Sequence, residues 1–173
     1  MEELVKEAKK GNNDAFSNLI NMYRKELYLV AKSKLRNDDD IADCIQETIF
    51  KSYKNIKKLK NNSSFKYWIM KILINECNNF YEKKERKELS IDNENIKEMY
   101  NVENEIHNSI DFESIVKDLS MDEKQILTLY YVSGYNTKEI GKLLKKNDNT
   151  IRVKMMRAKN KLREMYEGGT LYE

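Results

Sequence analysis

The residues of this chain best suited to chemistry are cations, amides and aromatics set at helical spacing. Arg152, Lys154, Arg157, Lys159, Lys161 and Arg163 crowd one stretch, and its apolar members Ile151, Met155, Ala158 and Leu162 share a helix face. A cationic helix of this kind binds phosphates, and its arginines can pair with base edges in the major groove of DNA. The same pattern also describes an ordinary amphipathic hairpin with a solvated basic face. Earlier in the chain, Lys66, Tyr67, Lys71, Asn75, Asn78, Asn79, Tyr81, Lys83, Lys84 and Arg86 surround an apolar stripe of Trp68, Ile69, Ile72, Leu73 and Phe80. Cations for phosphates, rings for stacking and amides for base edges are what single-stranded nucleic acid requires. Most of the Trp68 ring is expected to be core, given the stripe in which it sits.

Bond-breaking chemistry finds no support. The sole histidine is His107, no nucleophile–base pair is evident, and Asp38, Asp39, Asp40, Asp43 and Glu47 do not make a two-metal carboxylate pattern. Nor do the adjacent aspartates match a calcium loop, which needs a glycine turn and a distant glutamate. Asp38, Asp39 and Asp40 are expected instead at a helix N-terminus, where the helix dipole favours them. No catalysis, metal or cofactor is expected. A third set, Asp43, Gln46, Glu47 and Phe50, follows at three, four and seven and so shares one face. Periodicity leaves open whether that face is a contact surface or solvated helix.

The elements that must carry these residues read as helices throughout. The chain has 173 residues, no proline and only five glycines, with 40% apolar and 35% charged residues, a globular all-α composition. A short helix bears Leu4, Val5 and Ala8 and stops at Gly11. Asn12 or Asn13 caps a longer one with a stripe of Phe16, Leu19, Ile20, Tyr23, Leu27, Val30, Ala31 and Leu35. A third helix, from about 41 to 58, is expected to turn Ala42, Ile45, Ile49, Tyr53 and Ile56 inward. A polar loop at 59–64 follows, with Ser63 or Ser64 capping a helix that starts near Phe65. Residues 88–110 are acidic and poorly periodic, a linker. Beyond it, Phe112, Ile115, Val116 and Leu119 mark one helix. Ser120 and Glu123 form a capping box for a second that carries Ile126, Leu127, Tyr130 and Tyr131 and closes at Gly134. Two short helices then follow, the second capped by Asn147 or Asp148.

Net charge is only +3, yet its distribution is lopsided. Eleven Lys/Arg face three glutamates from Lys51 to Lys87, and ten face two acids from Lys138 to Arg163, while two face eleven acids from Glu88 to Glu123. Two basic blocks about an acidic one suggest two modules gripping a polyanion. Cys44 and Cys77 form no CxxC pair and suit a reducing compartment, and no signal peptide or membrane-length apolar run is present.

Several of these stretches together resemble the bacterial sigma-70 family, specifically its extracytoplasmic-function (ECF) subgroup. Asp14-Ala15-Phe16 with Leu19 and Tyr23 resembles the opening helix. Asp43-Cys44-Ile45-Gln46-Glu47-Thr48-Ile49-Phe50 resembles D-x-x-Q-E-x-x-F, and Phe65, Trp68, Ile69, Ile72 and Asn75 resemble F-x-x-W-L-x-x-I-x-x-N. Glu139-Ile140, Thr150-Ile151-Arg152, Arg157-Ala158-Lys159 and Leu162-Arg163 resemble E-I-A…T-V-x-x-x-x-x-R-A-R-x-x-L. The joint order and spacing carry the resemblance, since a helix-turn-helix pattern alone recurs across many regulators.

The resemblance implies two small helical domains, region 2 over 1–87 and a helix-turn-helix region 4 over 111–173, joined by the linker at 88–110. It implies that Asp43, Gln46, Glu47 and Phe50 bind the β′ clamp helices of core RNA polymerase, with the β flap as a further contact. Asn61, Asn62, Ser63, Tyr67, Trp68, Lys71, Asn75 and Asn79 would recognise the −10 element, including a base flipped from the non-template strand. Thr150, Arg152, Val153, Lys154, Met156 and Arg157 would meet the −35 element. A cytoplasmic initiation factor follows, controlled by an anti-sigma factor that is often membrane-anchored. Against the family pattern, Lys145 stands at the turn glycine, so either the turn is altered or Lys145 adopts a left-handed conformation. Val153 and Met156 bring methyl-contacting apolar groups, and Lys71 replaces a frequent arginine. A stand-alone helix-turn-helix regulator is the alternative reading, and it predicts tight DNA binding without polymerase.

Overall fold

The structure is a computed structural model that describes residues 1–90 and 118–169, with side chains described for 1–83 and 118–165. The described residues form seven α-helices and two 3-10 turns and contain no strand. The expected linker and the helix expected around Phe112 to Val116 fall largely outside them.

Helix α1 (Glu2–Lys9) ends before Gly11, whose φ of 100° lets the chain reverse. Asn12 then accepts from the Ala15 amide at 3.0 Å and caps α2 (Asn13–Lys32). All eight residues of the expected α2–Leu35 stripe are buried. Asn37 caps α3 (Asp38–Asn55), and the three aspartates occupy its first turn, as helix electrostatics favour.

The inward face of α3 differs from the expected one. Ile41, Cys44, Thr48 and Ser52 are buried, as is Ile56 just past the helix, whereas Ala42 is exposed, Ile45 and Ile49 are half-buried and Tyr53 is 49% exposed. Small side chains make a seam that lets another helix come close. Thr48 Oγ1 donates to the Cys44 carbonyl at 2.8 Å and Ser52 Oγ to the Ile49 carbonyl at 2.8 Å, so neither hydroxyl is buried unsatisfied. Tyr53 instead packs edge-on against Phe16 and donates to Asn13 Oδ1 at 2.8 Å.

The helix against that seam is α4 (Phe65–Ser90), at 26 residues the longest. It buries Phe65, Ile69, Met70, Leu73, Ile74 and Cys77. At roughly 1.5–3 kcal/mol for each large apolar side chain, this stripe anchors the first half of the molecule. The 59–64 loop folds into a 3-10 turn, Asn62–Ser64, that runs straight into α4. Its cap is therefore Asn61, which accepts from the Ser63 amide at 3.1 Å, and neither Ser63 nor Ser64 has that role.

In the second half, α5 (Met121–Tyr131) starts with the expected Ser120–Glu123 capping box. Leu129 is buried and Tyr131 is 60% exposed, so the buried face of α5 runs through Leu129 rather than Tyr131. Asn136 and Glu139 form a second capping box for α6 (Thr137–Leu144). Asn147 accepts from the Asn149 amide at 2.9 Å at the start of α7 (Asp148–Gly169). Ile126, Leu127, Leu129, Ile140, Leu143, Ile151, Met155 and Ala158 are buried among these three helices.

Lys145 terminates α6 at φ 53° and ψ 40°, the left-handed one of the two alternatives open at this position. A non-glycine residue there crowds its Cβ against the carbonyl, so Lys145→Gly is expected to stabilise the chain by about 1 kcal/mol. An unchanged or lower urea midpoint would contradict this.

Candidate nucleic-acid and partner interfaces

Asp43, Gln46, Glu47 and Phe50 line an open groove between α3 and α4, of about 950 Å³, with Lys51, Glu76, Phe80 and Lys83 on its other walls. The expected shared face therefore exists and is accessible. Phe50 is 51% exposed beneath the Lys54 ammonium, 4.1 Å from its ring centre. Lys51 holds the floor together. It donates to buried Glu76 at 2.7 Å and lies 3.3 Å from Glu47, and its hydrogen bond to Glu76 is the first cause that raises its pKa. Behind the groove, the Cys44 and Cys77 sulfurs lie 3.3 Å apart in the core. The hydrogen bond to Cys44, then burial, raises the Cys77 thiol pKa well above its ordinary value, which keeps this thiol protonated. Asn79, grouped by sequence with the nucleic-acid residues, also lines this groove.

The remaining nucleic-acid set lies on α4 and the turn before it. Lys9 of α1 donates to the Leu59 carbonyl at 2.8 Å and to Asn62 Oδ1 at 3.1 Å, which pins the turn to the bundle. Asn61 and Ser63 are exposed, Tyr67, Trp68 and Asn75 are half-buried and Lys71 is exposed. Trp68 packs against Phe65 with ring centres 5.9 Å apart, so its ring is shared between core and surface. Lys66, grouped by the sequence with these residues as a phosphate-binding cation, is already engaged. Its ammonium is ion-paired to Glu26 of α2 at 3.2 Å, a partner 40 positions away that local periodicity does not reveal.

On the basic helix α7, Arg152, Val153, Met156 and Arg157 face outward, with Val153 43% and Met156 57% exposed. Thr150 is exposed at the helix start. Lys154 does not share that face. It is half-buried and ion-paired to Asp122 of α5, which also receives Lys146 at 2.5 Å. Lys161 is held by buried Glu123 at 2.9 Å. The two acids in the first turn of α5 thus neutralise one side of α7 and leave the other facing outward. Their adjacency just before an apolar run is the only trace of this in the sequence.

Partial burial raises the Asp122 pKa, but hydrogen bonds from Lys146 and Lys154 outweigh it and hold the carboxyl at about 2, below its ordinary 3.8. A depressed folded pKa stabilises above the unfolded value, and that contribution is lost as pH falls from about 4 to about 2. Wild type is therefore expected to exceed Asp122→Asn in urea midpoint at pH 6, with the gap narrowing toward pH 2. A gap independent of pH would contradict the assignment.

Two helical modules, the second a helix-turn-helix with one basic face turned outward, define a DNA-binding protein of the transcription machinery. The family description Sigma-70 region 2 matches residues 19–87, and Sigma-70, region 4 matches residues 110–162. The chain belongs to the sigma-70 family, as a sigma factor of its extracytoplasmic-function subgroup. The RNA polymerase sigma factor SigV of Bacillus subtilis is 26% identical over 136 residues, covering 79% of this chain and 81% of that one. The ECF RNA polymerase sigma-E factor of Haemophilus influenzae is 29% identical over 180 residues, covering 95% and 92%. Among solved structures, the sigma factor RpoE in complex with the anti-sigma factor NepR from Bartonella quintana shares the fold with a TM-score of 0.74. It is 24% identical, covering 88% of this chain and 96% of that one.

Proposed function

We propose that this sigma factor joins core RNA polymerase through Asp43, Gln46, Glu47 and Phe50 and brings it to promoters with two spaced elements. The observation that supports this reading is an open acidic-aromatic groove formed by α3 and the later turns of α4, while Tyr67, Trp68 and Lys71 on the earlier turns of α4 lie outside it. Asn61, Asn62, Ser63, Tyr67, Trp68, Lys71 and Asn75 bind the unpaired −10 strand, where stacking and phosphate contacts offset the cost of unstacking. Asn79, in the groove, stands with the polymerase set. Thr150, Arg152 and Arg157 hold the −35 duplex, Val153 and Met156 offer apolar contact to thymine methyls, and Lys154 braces α7 from behind.

The division into 1–87, a linker at 88–110 and 111–173 belongs to the same reading, as does action without catalysis of its own. No helix among the described residues is long and apolar enough to cross a membrane, and the cytoplasm is the compartment where the polymerase is met. An anti-sigma factor is the proposed regulator, by analogy with the relatives solved in such complexes. The test is run-off transcription with core RNA polymerase on pooled genomic promoter fragments, with and without the chain. Discrete new transcripts are expected. Their absence, together with tight DNA binding by the chain alone, would establish a stand-alone regulator instead.

A further inference from the structure

The lysines at the end of α1 find partners in different ways. Lys6 and Lys10 pair with Glu3 and Glu7 close by in sequence. Lys9 is half-buried and instead reaches the 59–64 segment, where it donates to the Leu59 carbonyl at 2.8 Å and to Asn62 Oδ1 at 3.1 Å. Helix α1 is anchored by buried Val5 and Ala8 and packs against both 3-10 turns, Ile56–Lys58 and Asn62–Ser64. Lys9 thus bridges the non-helical residues 59–61 and limits the conformations open to them. It also settles which way the Asn62 amide faces. An ammonium carries only hydrogens, so the amide oxygen meets it and the NH2 group turns away. Asn61 is fixed in the same sense, because its Oδ1 accepts the Ser63 amide at 3.1 Å and the Ser63 hydroxyl at 2.8 Å. Ser63 gives its hydroxyl hydrogen to Asn61 and keeps its oxygen lone pairs for another donor.

We propose that Lys9 is a positioning residue for promoter reading: by holding the Asn62 oxygen, it makes the turn meet the unpaired −10 base with amide hydrogens and read that base through its acceptor atoms. This rests on assigning the turn to the −10 element. Asn61 and Asn62 supply the donors and the Ser63 hydroxyl oxygen supplies an acceptor. Thymine and cytosine expose more acceptor than donor groups on their pairing edge, whereas guanine exposes more donors than acceptors. The turn therefore matches a pyrimidine and opposes guanine, since a donor set against a donor leaves both unpaired. Both acceptors of Lys9 are uncharged, so its positive charge remains beside the turn, where it favours a phosphate of the bound strand.

The test uses the full chain with core RNA polymerase and a synthetic promoter library. Its upstream duplex and an unpaired non-template stretch downstream are both randomised, and bound DNA is recovered at fixed salt and sequenced. Wild type is expected to favour thymine or cytosine over guanine about tenfold at one unpaired position. Lys9→Met keeps the apolar stem and removes the ammonium, so the amide is released and that preference should fall to about twofold or less. Asn62→Asp keeps an oxygen for Lys9 but replaces the outward hydrogens with a second acceptor, so the preference should reverse toward guanine. In both variants the preference in the upstream duplex should stay as in wild type, which a general loss of folding does not allow. Circular dichroism checks Lys9→Met, and Asn62→Asp carries the test should that variant unfold. A wild-type preference for guanine, or a pyrimidine preference indifferent to either substitution, would overturn the role of Lys9 and leave the −10 assignment standing. No enriched base at any unpaired position would remove the −10 assignment, and the role of Lys9 with it.

Discussion

Asp43→Ala/Glu47→Ala is expected to abolish nearly all promoter-directed transcription while leaving the fold intact. Both residues stand on the accessible wall of the α3/α4 groove, and Asp43 is exposed. Glu47 lies 3.3 Å from Lys51, but Lys51 keeps its shorter bond to Glu76 at 2.7 Å when Glu47 is removed. Stability therefore changes little, as is usual for exposed pairs. Affinity for the polymerase is a different matter. Interface residues that carry binding typically cost about 2–4 kcal/mol when truncated, or roughly 30- to 1,000-fold in dissociation constant. Run-off yield at limiting sigma factor should fall accordingly and recover in part at high concentration. An undiminished yield, with an unchanged circular dichroism spectrum, would remove this face from polymerase binding.

Gly141→Ala has the largest expected effect in the second half. A Cβ at Gly141 would lie 2.8 Å from the Lys146 carbonyl oxygen and 3.6 Å from the Asp148 amide nitrogen. Both are backbone atoms, so α6 and the start of α7 must separate to admit one methyl. Overpacking of this kind costs about 1–3 kcal/mol. The displaced segment carries Thr150 and Arg152, the residues proposed to hold the −35 duplex. The variant should lower the urea midpoint and weaken transcription from promoters that depend on their −35 element. An unaltered midpoint would show that the turn yields without cost.

Local rules read much of this molecule correctly because their physics is local. Asn12, Ser120 and Asn147 cap helices since an amide or hydroxyl reaches a free amide two or three residues on. The α2–Leu35 stripe is buried because its spacing leaves one apolar side. Lys145 adopts the left-handed conformation because α6 must end within a three-residue turn. Helix α3 was misread for an equally physical reason. Its core seam consists of Cys44, Thr48 and Ser52, whose smallness rather than hydropathy admits α4, so a rule that seeks large apolar side chains selects the neighbouring face.

By itself, then, the sequence determined the all-α class, the helix starts, the helix-turn-helix with its basic second helix, and the shared face of Asp43, Gln46, Glu47 and Phe50. Tertiary structure alone decided which cations turn outward. Lys154 and Arg152 sit two residues apart, yet Asp122, 32 positions from Lys154, draws the lysine inward and leaves the arginine outward. Lys66 is likewise assigned by Glu26 and by the Ser133 carbonyl, and the position of Tyr135 by Tyr67. Periodicity reports which side of a helix a residue occupies. What stands opposite that side depends on how distant segments pack, and it is that packing which sets the availability of a charge or a ring for DNA.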